Sequence, residues 1–354
     1  MLAPGDIIDG RYRVVRRLGV GGMGAVYEGH SLLADRRIAI KVMHASIAEQ
    51  RDAVARFERE AQAAARIGSI HIVDVFDLGD LPTGERFMVM EFLEGESLLT
   101  RFKTGGPMAA PDAARVVIQL LEGLVKVHEA GIVHRDLKPA NVFLTPTSSG
   151  DDFVKILDFG ICKILHDGKA GEIFTGVGDI LGTPSYMSPE QLEQGPHLLD
   201  CRADLYAVGV LLYRALSGRH PYRASNLVEL LVLLREGKSD PIGDVVEVDP
   251  LFASIVTRAT EWDVAARYQS ARAFQQDLAS WLARPTRVDH LLTSFLEGAE
   301  PPTLTFPRLA PAKLPPPRSP ARRVVTGPAI PGDPRSGAPT FVDQDEMTTL
   351  RKRI

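Results

Sequence analysis

His134-Arg135-Asp136-Leu137-Lys138-Pro139-Ala140-Asn141 is the stretch on which the reading of this chain turns. A helical pattern over 111–130 leads into it and a strand pattern at 142–144 follows. It therefore falls in a loop, where a rigid scaffold holds reactive groups at the surface. The Asp136 carboxylate can accept a proton from a hydroxyl. Asn141, five residues on, can offer an amide oxygen to a hard cation. Asp158-Phe159-Gly160 comes after a second apolar strand pattern at 153–157 and brings another oxygen ligand to the mouth of the same cleft. That tripeptide alone means little. In this order, behind this octapeptide, coincidence is negligible.

Working outward toward the N-terminus, Gly19-Val20-Gly21-Gly22-Met23-Gly24 is a GxGxxG. A dinucleotide fingerprint reads the same way, but it follows a strand, opens a helix and has an acid ~20 residues on. Here the glycines separate two strand patterns, position 41 is a lysine, and no GK[ST] completes a Walker-type loop. What remains is a hairpin whose bare backbone can close over phosphates, with an ordinary glycine turn as the bland alternative. Ile38-Ala39-Ile40-Lys41 sets a lysine inside an apolar strand. A buried ammonium needs a partner, and Glu60 in the following helical pattern is the obvious one.

The periodicities predict an α+β chain of two lobes. Three antiparallel strands are expected between 11 and 43, an amphipathic helix over 49–67, and two further strands around the turn at Pro82-Thr83-Gly84. Beyond Leu93 helices are expected at 111–130, 203–217, 224–236, 250–260 and 270–283. A small β-rich part thus precedes a larger α-rich part.

With 354 residues, 45% apolar and 24% charged, the chain has ample material for a core and is not wholly disordered. A net charge of −4 makes nucleic acid a poor default partner. Two cysteines, Cys162 and Cys201, make neither a disulfide framework nor a zinc site. No apolar run suits a signal peptide or a membrane span, so a cytoplasmic location is expected. Residues 284–354 are rich in proline and lack hydrophobic period, which predicts a solvated tail able to recruit partners. The expected boundaries are an N-terminal extension over 1–12, a catalytic unit over 13–283 whose lobes meet near 93–94, and the tail.

Taken together, these motifs resemble the protein kinase superfamily over roughly 13–283, and within it the eukaryotic-like serine/threonine kinases of bacteria. The residues that carry the likeness are GxGxxG followed by Val26, Lys41 in IAIK, Glu60, HRDLKPAN, DFG, and Ser188-Pro189-Glu190 where APE is usual. Asp204 in DLYAVG and Arg267 in AARYQS match two structural anchors, the latter the partner of Glu190. Lys138 and Thr183 point to the serine/threonine branch.

The resemblance implies a bilobal kinase fold, with helix C at 49–67, and transfer of the γ-phosphoryl group of ATP to protein Ser or Thr hydroxyls in bacterial signalling. Asp136 would orient and deprotonate the acceptor, Lys138 would neutralise the γ-phosphate, and Lys41, held by Glu60, would grip the α- and β-phosphates. Asn141 and Asp158 would hold Mg²⁺, or Mn²⁺ in its place. Leu18, Gly19, Val20, Gly21, Gly22, Met23, Gly24, Ala25, Val26 and Ala39 would roof the nucleotide, with Phe143 as its floor. Met90 would close the back, and the backbone from Glu91 to Leu93 would bind the adenine edge. Thr183 would lie beside the catalytic loop, and Thr175 is the expected site of an activating autophosphorylation, docked on Arg135 and Lys163. A pseudokinase, a small-molecule phosphotransferase and, without excluding catalysis, an interaction protein acting through its proline-rich tail are the rivals. An intact Lys41, HRD and DFG argue against the first, and the 183–190 segment against the second. The departures are small: SPE for APE, a long turn over 145–152, WDVAAR for DPxxR, and Cys162 two residues after DFG.

Overall fold

The computed structural model describes residues 2–22, 24–48, 51–158, 184–193 and 199–284. Met23, Cys162, Lys163, Thr175, Thr183 and the proline-rich tail lie outside the described residues. The chain divides into Met1–His290 and Leu291–Ile354, and the second unit falls wholly outside them.

The first lobe is a six-stranded sheet formed by β1 (Ile7–Ile8), β2 (Tyr12–Val20), β3 (Gly24–Ser31), β4 (Arg36–Met43), β5 (Val75–Asp80) and β6 (Arg86–Glu91). Its order is β1-β2-β3-β4-β6-β5, antiparallel throughout. The short α1 (Ala45–Ala48) and the long α2 (Arg51–Ile67) come between β4 and β5. Period two along β4 decides the chemistry. Ile38, Ile40 and Val42 join one apolar cluster with Tyr12, Val14 and Phe87. Ala39 and Met43 face the other way, packing with Phe57 and Ala61 of α2. Lys41 shares that second face. Residues 7 and 8, ahead of the expected first strand, add β1, with Ile8 buried.

The second lobe opens with β7 (Glu96–Ser97), α3 (Leu98–Thr104) and α4 (Ala110–Glu129). The hydrophobic pattern does not reveal α3: it is only seven residues long and is started by Ser97, whose hydroxyl accepts from the Thr100 N–H at 3.2 Å. β8 (Val142–Pro146) and β9 (Asp152–Ile156) complete a small sheet ordered β7-β8-β9. There follow α5 (Pro189–Glu193), α6 (Arg202–Ser217), α7 (Leu227–Arg235), α8 (Pro250–Ala259) and α9 (Ala271–Leu282). α6 is buried along nearly its whole length, an apolar helix at the centre of the lobe. At Gly209 a methyl group would sit 2.7 Å from the Ala259 Cβ, so glycine is what lets α6 and α8 approach.

The two lobes are stitched together ahead of β5. Ile72 and Ile156 form a parallel bridge, and the Val73 N–H donates to the Ile156 carbonyl at 3.0 Å. The Ile156 N–H donates in turn to the His71 carbonyl at 2.8 Å. The buried His71 ring stacks on Phe153. These contacts put the end of β9, and hence Asp158, beneath α2 and β4.

Candidate active site

The Lys41 ammonium lies 2.8 Å from Glu60 Oε1 and 2.8 Å from Asp158 Oδ1. Only 8% of the Lys41 side chain and 5% of Glu60 are exposed. Burial pulls the Lys41 ammonium down, but the two carboxylates outweigh it and hold the group above its ordinary value. Burial pushes the Glu60 carboxyl up, because one ammonium cannot fully compensate two acids. Burial also opposes ionisation of Asp158, yet Lys41 more than offsets it and keeps that carboxyl below the usual range. The arrangement is a charged relay from α2 through β4 to the segment after β9.

The residues of the 136–141 loop form a second cluster. Lys138 Nζ is 2.8 Å from Asp136 Oδ2. The Asn141 amide donates to the Asp136 carbonyl at 2.9 Å and approaches Asp136 Oδ2 at 3.4 Å. With its nitrogen so engaged, Asn141 keeps its Oδ1 as the atom able to coordinate a cation. An oxygen presented this way, together with the Asp158 carboxylate, is a donor set that suits Mg²⁺.

Backbone geometry explains how Asp136 is held. Arg135 adopts φ +65°, a left-handed conformation that non-glycine residues rarely take. Asp204 of α6 accepts the N–H groups of both His134, at 2.9 Å, and Arg135, at 2.8 Å. His128 Nε2 reaches the same carboxylate at 2.8 Å. The His134 ring is fully buried, and that burial lowers its pKa. Its Nδ1 accepts the Asp136 N–H at 3.3 Å.

Beyond the loop, Arg267 makes a two-pronged pair with Glu190, both contacts 2.8 Å, with no part of the arginine side chain exposed. Ser188 and Gln191 cap α5 reciprocally, and Gln191 Nε2 also donates to the Arg135 carbonyl at 3.0 Å. Gln191, like His128, carries no motif signal and emerges only from the fold.

Of the residues expected around a nucleotide, Val26, Ala39 and Met90 fall in one apolar cluster with Leu157. Ala39 and Met90 are directly paired across β4 and β6. Leu18 and Val20 are exposed on β2, and Phe143 stands half-buried on β8. Ala25 does not join them. Its methyl group is buried in the opposite cluster, leaving only its backbone toward the cleft. The glycines also divide: a Cβ at Gly19 or Gly22 would meet nothing, whereas at Gly24 it would lie 2.0 Å from the Val42 carbonyl oxygen. Gly24 is required by the fold, and the others are free for a ligand to use. Glu91, Phe92 and Glu94 are gripped from both lobes. Lys155 pairs with Glu91, while Arg37 pairs with Glu94 and stacks over Phe92. Among the described residues, no cluster of three or more His, Cys, Asp or Glu suggests another metal centre.

A family model described as the protein kinase domain matches residues 12–278. The chain belongs to the protein kinase family. Curated relatives include two serine/threonine-protein kinases of Myxococcus xanthus. Kinase pkn3 is 36% identical over 80% of this chain and 52% of its own length, and Pkn1 is 41% identical over 79% and 39%. The chain thus spans about half or less of these kinases. Among solved structures, the PknI kinase domain of Mycobacterium tuberculosis aligns with a TM-score of 0.60 at 27% identity, covering 79% of this chain and 99% of that one. The bilobal kinase fold is accordingly the architecture of this chain. No helix among the described residues is long and apolar enough to cross a membrane.

Proposed function

We propose that the chain is an ATP-dependent protein serine/threonine kinase. The observation that carries this reading is the Asp136 carboxylate set between Lys138 and Asn141, beside the Lys41–Glu60–Asp158 relay. The acceptor hydroxyl oxygen attacks the γ-phosphorus, the bond to the β–γ bridging oxygen breaks, and ADP leaves. Asp136 orients the hydroxyl and takes its proton. Lys138 faces the transferred group and Lys41 the α- and β-phosphates. Asn141 and Asp158 are the residues to hold Mg²⁺, which supplies charge neutralisation on the phosphates when bound. The rate then comes from positioning and electrostatics, the main resources for phosphoryl transfer.

The glycine strand pair, Val26, Ala39, Met90, Phe143 and the Glu91–Leu93 backbone form the ATP pocket in this reading. Thr183 and Lys138 favour Ser and Thr acceptors. Thr175 is the activating autophosphorylation site, because Arg135 Nε and Nη1 are buried with no hydrogen-bond partner among the described residues and a phosphate would supply one. The 1–12 extension, the 13–283 kinase unit, the 284–354 recruiting tail, a cytoplasmic location and a signalling role complete the proposal. Incubation with ATP, Mg²⁺ and casein or myelin basic protein tests it. Phosphate on Ser or Thr supports the reading, and none from an intact, folded chain defeats it.

A further inference from the structure

Arg214, near the end of α6, is a cation without an acid among the described residues. Its Nη1 donates to the Tyr186 hydroxyl and to His220 Nε2 at 3.3 Å, and its guanidinium lies 5.2 Å from the centre of the Phe102 ring. None of the described carboxylates pairs with it. An arginine can only donate, so His220 Nε2 is the acceptor and the ring proton sits on Nδ1. The Tyr186 hydroxyl, already accepting, has its own proton to give. Arg214 Nε and His220 Nδ1 are both buried without a partner among the described residues. Three donors and one full positive charge therefore remain in this cluster with no acceptor among the described residues.

The position of this cluster gives it meaning. Tyr186 ends the short 3₁₀ turn Pro184–Tyr186, just ahead of Ser188 and α5. Tyr186 and Met187 line a cavity together with Arg135 and Asp136. One side of the tyrosine thus faces the space beside the proposed base, while its hydroxyl is fastened to Arg214. Its ring against His220, 4.8 Å between centroids, holds that orientation. Burial and the neighbouring Arg214 push His220 down to about 4, so at neutral pH it is an uncharged donor.

We infer that the Arg214–Tyr186–His220 cluster binds the side-chain carboxylate of an Asp or Glu in the protein substrate, close in sequence to the accepting Ser or Thr. A carboxylate is acceptor-only and matches a donor-only site. Tyr186 shares a cavity with Asp136, so the acid falls near the acceptor along the substrate chain. The inference rests on the kinase reading and adds a substrate class to it.

The test uses the full chain and peptides with one Thr among neutral residues, into which a single Glu, Lys or phosphoserine is walked position by position. At one position Glu raises kcat/KM by ~10-fold or more over Ala, mainly through KM. Arg214→Gln abolishes that gain, and Arg214→Glu transfers it to Lys at the same position, a reversal that a merely structural role would not produce. Melting curves establish that both variants are folded. If they are not, the wild-type walk decides alone. Peptides phosphorylated equally well with Glu or Ala everywhere overturn the inference, as does a gain that survives in Arg214→Gln. So does a position where phosphoserine is favoured and Glu is no better than Ala. Failure of wild type on every peptide and on casein removes the kinase reading itself.

Discussion

Asp204 accepts the backbone N–H groups of His134 and Arg135 at 2.9 and 2.8 Å, from residues 70 and 69 positions earlier in the chain. This carboxylate of the central helix holds the catalytic loop in its left-handed bend at Arg135, φ +65°. Such a bend costs ~1–3 kcal/mol and persists only where its surroundings insist on it.

Replacing Asp204 by Ala should therefore act on structure and activity together. Two buried N–H groups lose a charged acceptor, a loss of roughly 2–4 kcal/mol. At about 2–4 °C per kcal/mol for a chain of this size, the melting temperature should fall by several degrees. Steady-state kinetics should show kcat reduced with KM for ATP little changed, since Asp136 moves while the lysine relay does not. An unchanged melting temperature and kcat would show that the bend needs no such clamp.

Lys41→Met and Asp136→Asn should both fold, yet transfer phosphate at least ~10²-fold more slowly than wild type. Each removes a charge from the cleft without opening a cavity in either core. Radiolabelled ATP with casein gives the rate, and circular dichroism establishes the fold. Wild-type turnover in either variant would disprove the assigned roles.

Arg267→Met should be among the most destabilising single changes in the second lobe. It leaves the Glu190 carboxylate, only 13% exposed, without its cation. Breaking one partner out of a buried pair costs ~3–5 kcal/mol. Urea unfolding of the Arg267→Met, Glu190→Gln and double variants should show coupling, with the double variant less destabilised than the sum of the singles. Strict additivity would mean that the pair contributes nothing as a pair.

Acid should unfold the protein partly through His220. Its folded pKa is about 4 against an unfolded value near 6.5, because burial and Arg214 disfavour the imidazolium. The Tyr186 hydroxyl and ring, which also face it, offer no compensating charge. Stability is fully present above pH 6.5 and declines as the pH falls toward 4, since only the unfolded chain readily takes up the proton. The loss at the low end is on the order of 3 kcal/mol, from 1.36 kcal/mol per pKa unit. His220→Gln should flatten that part of the stability profile relative to wild type. Parallel profiles would sink the idea.

Thr175 should carry phosphate in active preparations, and Thr175→Ala should lower kcat while leaving the fold intact. The two buried Arg135 nitrogens, without partners among the described residues, are the reason, since a phosphate of about −1.5 to −2 charges would satisfy them. Mass spectrometry and steady-state kinetics decide. No phosphate at Thr175, together with full activity of the variant, refutes the switch.

Much of this protein is written locally. The alternation in β2 to β4, the 3–4 spacing in α2 and α4, and the order of HRDLKPAN and DFG depend only on neighbours in sequence. They announce two lobes and the proposed ATP cleft between them without any knowledge of contacts. The pairing of Lys41 with Glu60 is legible for the same reason, because a lysine in an apolar strand must find an acid nearby. Local pattern does not reveal α3, which is short and begins at a cap rather than with a hydrophobic period. Nor does it separate Gly24, pressed against Val42, from Gly19 and Gly22, which touch nothing. The clamp of Asp204 on the catalytic loop, the bridge from Gln191 to Arg135 and the acceptor-poor cluster at Arg214 join segments tens of residues apart. Each depends on which donors are left without acceptors once the chain has packed. Burial creates that condition, and burial is decided by the whole tertiary structure rather than by any stretch of it.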